Sequence, residues 1–194
     1  MCWVYVLVIY PLYTAWFAAH ASILTENLSY VGNLEGMHLH FMLWGTLTIL
    51  ALLPGVRLCI KYSLFKKRHR LLTSIAAILL VCAVTLPYLP RQFPFFSFLH
   101  IVLSFAAPLS LIGAVLLIYM DLAMLYPKLM GKILVVFGTL CIVALGIYLK
   151  YGSVNTLVEI FLSIGLSWLL LISGERIKRF EMTKLSAGES ENQV

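Results

Sequence analysis

Charge is scarce in this chain. Asp, Glu, Lys and Arg together make up 11% of its 194 residues, whereas 62% are hydrophobic and the mean hydropathy is +0.98. No soluble domain could present that composition to water, so the soluble classes are excluded and the chain is read as an integral membrane protein. Other absences narrow the field further. Cys2, Cys59, Cys82 and Cys141 show no paired spacing, and Cys82 and Cys141 fall inside apolar runs, which argues against a disulfide framework or a thiolate metal site. There is no glycine-rich phosphate loop, no heptad pattern, no internal repeat and no helical H-E-x-x-H motif. Small residues flank His20 as they would a signal-peptidase site, but Met1-Cys2-Trp3 lacks the basic start of a signal peptide, so the first span is read as a retained helix.

What the chain has is long apolar runs. Each is continuously hydrophobic, unlike the alternating strands of a membrane barrel, and the punctuation places six helices near Trp3 to Ala19, Leu39 to Ile60, Leu71 to Tyr88, Phe98 to Met120, Lys132 to Leu149 and Thr156 to Ser173. The fold class is therefore all-α, a polytopic transmembrane bundle of six helices. Pro54-Gly55 is expected to interrupt the second span, Pro87 and Pro90 to end the third, Pro108 to kink the fourth, and Gly152-Ser153 to turn the chain into the last. Residues 1–173 form the membrane domain. Residues 174–194 are read as a charged cytoplasmic tail, helical at first and flexible from Ser186 to Val194.

Orientation follows from the basic residues. Twelve of the fourteen Lys and Arg residues lie in the connection around Lys66-Lys67-Arg68-His69-Arg70, the connection around Lys128 and Lys132, and the tail; only Arg91 and Lys150 lie on the opposite side. Cytoplasmic segments carry the basic excess, so both termini are expected in the cytoplasm, with a bacterial cytoplasmic membrane as the expected location. The Lys66–Arg70 run is then an anchor to anionic headgroups; no nucleic-acid-binding module accompanies it.

Ionisable side chains near lipid are the best pointer to function, and they gather on the extracytoplasmic side. His20 ends the first span, Glu26 and Glu35 follow in the first outer loop, His38 and His40 open the second span, Arg91 lies in the next outer loop, and His100 opens the fourth span. Ser97, His100 and Ser104 make a polar stripe on one helical face, and Asn155, Glu159, Ser163 and Ser167 make a longer one. Glu159, a carboxylate inside a span, is the strongest single candidate, with a salt bridge to Arg91 or Lys150 as its structural alternative. The candidate functional cluster is Glu35, His38, His40, Arg91, His100, Ser104 and Glu159.

Three chemistries compete for this cluster. His38, His40, His100 and Glu159 could hold zinc and activate a water against a lipid ester, amide or phosphate. Alternatively, the groups line a cavity that binds a lipid or small molecule, in a sensor, carrier or accessory role; Glu159 also fits proton-coupled transport, although broken helices and inverted repeats are missing. Two histidines could hold a haem, the least favoured of the three. The binding role is preferred because the zinc reading requires several independent assignments at once. Membrane lipids are the expected partners, and Gly138, Gly146 and Gly165 could support helix association within one chain or in a homo-oligomer.

Two outer segments carry a family resemblance. Leu28-Ser29-Tyr30-Val31-Gly32-Asn33 followed by His40-Phe41-Met42-Leu43-Trp44-Gly45, and Phe93-Pro94 followed by Phe98-Leu99-His100, resemble the FRAG/DRAM/SFK membrane proteins and their bacterial relatives. The resemblance implies six helices with cytoplasmic termini and a lipid-related role, and it supplies no catalytic residues.

Overall fold

A computed structural model describes residues 2–191, with side chains through residue 186. Its elements are α1 (Cys2–Ala18), α2 (Leu28–Gly32), α3 (His38–Tyr62), α4 (Lys66–Thr85), α5 (Pro94–Leu125), α6 (Pro127–Tyr151) and α7 (Thr156–Glu191). Five of them, α3 to α7, are long and apolar enough to cross a membrane. The first helix falls within one residue of the expected Trp3 to Ala19 at each end, but it is too short to cross as the others do. Helix α1 covers roughly 25 Å at 1.5 Å per residue, less than the roughly 30 Å of a bilayer's hydrocarbon core, and it is wound as a π-helix over Tyr5–Ile9.

Several boundaries depart from the sequence reading. Pro54 does not interrupt α3, which runs from His38 through Tyr62 with the proline inside it, because neighbouring helices in a bundle tolerate the missing hydrogen bond. Helix α5 extends beyond its apolar run at both ends, and Pro127 opens α6 at its first position instead of merely punctuating the connection. Helix α6 closes at Gly152, whose φ of +69° is the left-handed cap that glycine adopts without strain. Helix α7 runs unbroken to Glu191, so the expected flexible end from Ser186 is helical as far as it is described; residues 192–194 and Met1 lie outside the described residues.

Packing divides the long helices into two close pairs, α3 with α7 and α4 with α5, while α6 lies against α7 and α5. The α3–α7 pair is drawn together by glycine. A Cβ on Gly55 would sit 2.5 Å from the Leu170 and Leu171 backbone, and one on Gly174 would sit 2.5 Å from the Leu58 side chain. Around this crossing lies the main apolar core, including Val56 and Cys59 of α3, Ile118 and Leu122 of α5, Met130 and Phe137 of α6, and Leu166 and Leu170 of α7. A second cluster at the other end joins Phe17 of α1, Leu28 and Val31 of α2, Phe41 and Trp44 of α3, and Val84 of α4. Of the glycines expected to support association, Gly165 meets Leu140, whereas Gly138 and Gly146 face open space.

Candidate functional site

The loop that follows α1 is docked on the start of α7. The backbone N–H and hydroxyl of Thr156 both donate to the Glu26 carbonyl at 2.7 and 2.8 Å, Leu157 N–H donates to the Ile23 carbonyl at 3.1 Å, and the Asn155 amide donates to the Leu24 carbonyl at 3.1 Å. Asn155 Oδ1 accepts from Val158 N–H at 3.1 Å as a helix cap. Glu159 completes the joint from the other side: its Oε2 accepts from Leu28 N–H at 2.6 Å. Asn27 caps α2 by accepting from Tyr30 N–H at 2.8 Å, and Asn33 ties α2 to the α4–α5 loop by accepting from Tyr88 N–H at 3.1 Å.

Behind this joint lies a chamber of about 270 Å³, lined by α3, α4, α5 and α7. Its walls are almost wholly apolar, with Trp44, Leu52, Ala77, Leu80, Pro108 and Leu166 among them. Along α3 the lining runs from Phe41 to Val56, an axial length of roughly 22 Å at 1.5 Å per residue, so the space is a slot rather than a sphere. A second cavity of about 150 Å³ adjoins it, lined by Asn27, Ser29, Tyr88, His100, Ser104 and Glu159 together with Ile101, Phe105 and Val154. Ser29, Ser104, Val154 and Glu159 line both, so the two cavities form one site with an apolar slot and a polar mouth.

Of the expected cluster, His100, Ser104 and Glu159 come together in this mouth. His100 is buried, and its Nδ1 donates to the Leu86 carbonyl at 2.9 Å, which leaves Nε2 the lone-pair nitrogen of the neutral ring. The other members do not line the mouth. His40 stacks edge-on against Trp16 at 5.1 Å between centroids, and its Nδ1 is 3.3 Å from the Tyr13 hydroxyl. His20 donates through Nδ1 to the Trp16 carbonyl at 3.1 Å, and His38 lines neither cavity. Glu35 and Arg91 are exposed. No three His, Cys, Asp or Glu side chains among the described residues gather as a metal cluster would require, so His38, His40, His100 and Glu159 are not a common ligand set. The salt bridge considered for Glu159 is absent too: Lys150 lies over the Tyr151 ring at 5.4 Å, and among the described residues no basic group pairs with the carboxylate.

The sequence reading missed one feature at the opposite end. His69, assigned to a headgroup-facing basic run, is fully buried, and its Nε2 donates to Asp121 Oδ2 at 3.1 Å. The same oxygen accepts from Leu64 N–H at 2.7 Å and Phe65 N–H at 3.2 Å, so Asp121 on α5 clamps the turn that starts α4. Its helical neighbours Ile118 and Leu122 belong to the packed core, and on α5 the chamber ends at Ile112, roughly 13 Å short of Asp121.

The helices and the slot between them define an integral helical membrane protein with a partly open cavity among its helices. No protein-family model, curated protein or solved structure matches the chain.

Proposed function

We propose that this protein binds one chain of a membrane amphiphile in the slot between its helix pairs, with the polar end of that molecule at Glu159 and Ser104 beside the His100 ring, in a sensor, carrier or accessory role. The observation that carries the reading is the form of the site: a long apolar slot that opens into one small polar mouth. Apolar walls of this length suit an alkyl chain better than a sugar or a free ion, whose polar groups would go unpaired there. The expected orientation puts the mouth on the extracytoplasmic side and the C terminus in the cytoplasm, because twelve of the fourteen Lys and Arg residues lie toward the other end. Packed core between the chamber and Asp121 weighs against the transport alternative, and the dispersal of the histidines weighs against a zinc hydrolase.

The test is to extract and identify, by mass spectrometry, the molecules that accompany protein purified in a neutral detergent. Ala77→Phe and Ala107→Phe each place a ring in the slot. A single-chain amphiphile retained by the parent protein and depleted in both variants, with unchanged gel-filtration behaviour, is the expected result. Equal retention by parent and variants would overturn the reading.

A further inference from the structure

The lining of the mouth restricts the chemistry of what enters it. Glu159 is the only formally charged side chain among the described residues that line either cavity; no Lys or Arg does. Its Oε2 is engaged by Leu28 N–H, but Oε1 has no protein partner among the described residues. Unlike Asp121, whose Oδ1 is buried and unpartnered, Glu159 is a half-buried residue that lines both cavities. His100 adds no donor of its own, because its Nδ1–H is spent on the Leu86 carbonyl. Tyr88 and Phe105 line the same cavity and supply aromatic surface beside the carboxylate.

A phosphate, sulfate or carboxylate head would meet Glu159 without a cation to offset it, and like charges at short range in a poorly solvated site repel strongly. An uncharged hydroxyl would satisfy Oε1 by one ordinary hydrogen bond. An ammonium group would supply both the missing countercharge and charge-assisted hydrogen bonds to Oε1, and it gains further from neighbouring aromatic faces. We infer that the occupant is a single-chain cationic amphiphile, a long-chain amine whose ammonium pairs with Glu159 while its alkyl chain fills the slot. This assignment rests on the chain-binding reading and adds the head group to it.

Trp44 lines the slot, whereas Trp3, Trp16 and Trp168 are exposed, so Trp44 can report chain entry independently of the head. The experiment titrates the protein in dodecyl maltoside with three probes that share a terminally brominated dodecyl chain and end in an amine, an alcohol or a phosphate. Bromine quenching present in the parent and missing in Trp44→Phe isolates entry into the slot. The expected result is apparent affinity in the order amine, alcohol, phosphate, with the amine about tenfold or more above the alcohol. Glu159→Gln should abolish that preference, and Glu159→Asp, which keeps the charge, should retain it. Equal quenching by all three heads, preference for phosphate, or an amine preference that survives Glu159→Gln would overturn the head-group assignment while leaving the slot as a chain site. Absence of Trp44-dependent quenching with every probe would instead overturn the chain-binding reading beneath it.

Discussion

Asp121 and Glu159 are both acids on apolar helices, yet they are used differently. Glu159 keeps one oxygen for the cavity, whereas Asp121 gathers Leu64 N–H, Phe65 N–H and His69 onto a single oxygen and seals the other. Removing one member of a buried pair leaves the other uncompensated, at roughly 3–5 kcal/mol. Asp121→Ala is therefore expected to lower the thermal midpoint by roughly 6–20 °C in a chain of this size, measured by scanning fluorimetry in detergent. His69→Ala should lower it less, because the carboxylate still accepts from two backbone N–H groups; the reverse order would refute the clamp. Glu159 was legible as a site residue because an acid among apolar residues stands out in any reading. His69 was not, since it sits between Arg68 and Arg70, and its partner is 52 positions away. The hint available was Asp121 itself, an acid at the end of an apolar run that needs a donor from somewhere.

Helices were legible in number and kind wherever an apolar run exceeded the span of a bilayer, and least legible at their ends. Pro54 reads as a break, but its missing hydrogen bond does not stop α3, and the glycine beside it is what the fold uses. At Gly55 the α7 backbone approaches so closely that Gly55→Ala forces the pair apart, with an expected destabilisation of about 1–3 kcal/mol. Gly113→Ala is the matched control. It lies inside α5 with nothing within 4 Å of its Cβ position, and replacing it should be neutral or stabilising by up to about 1 kcal/mol. Thermal unfolding of the two variants side by side checks the contrast, and equal effects would deny Gly55 its packing role. The short helix α2 escaped the sequence reading because five residues inside a polar loop carry no periodic signal; the Asn27 cap was its one local mark.

Across the whole molecule the helix pairs place the mouth and the basic connection at opposite ends. That arrangement gives the proposed orientation a direct check in a background without native cysteines. Gly36→Cys should react with an impermeant maleimide added to intact cells, and Lys66→Cys should react only after the membrane is opened; labelling with the opposite pattern would invert the topology. The apolar character of the bundle was plain from composition, but the slot was not, because a cavity depends on how helices tilt and pair, and a one-dimensional pattern contains neither. The docked outer loop has a consequence for how the bundle comes apart. A helix ordinarily frays from its first turn, where the amides have no partner within the helix. In α7 those amides are already held: Thr156 by Glu26, Leu157 by Ile23 and Val158 by Asn155. The last long helix thus starts from a sealed end, and its loosening begins at the far terminus, away from the mouth.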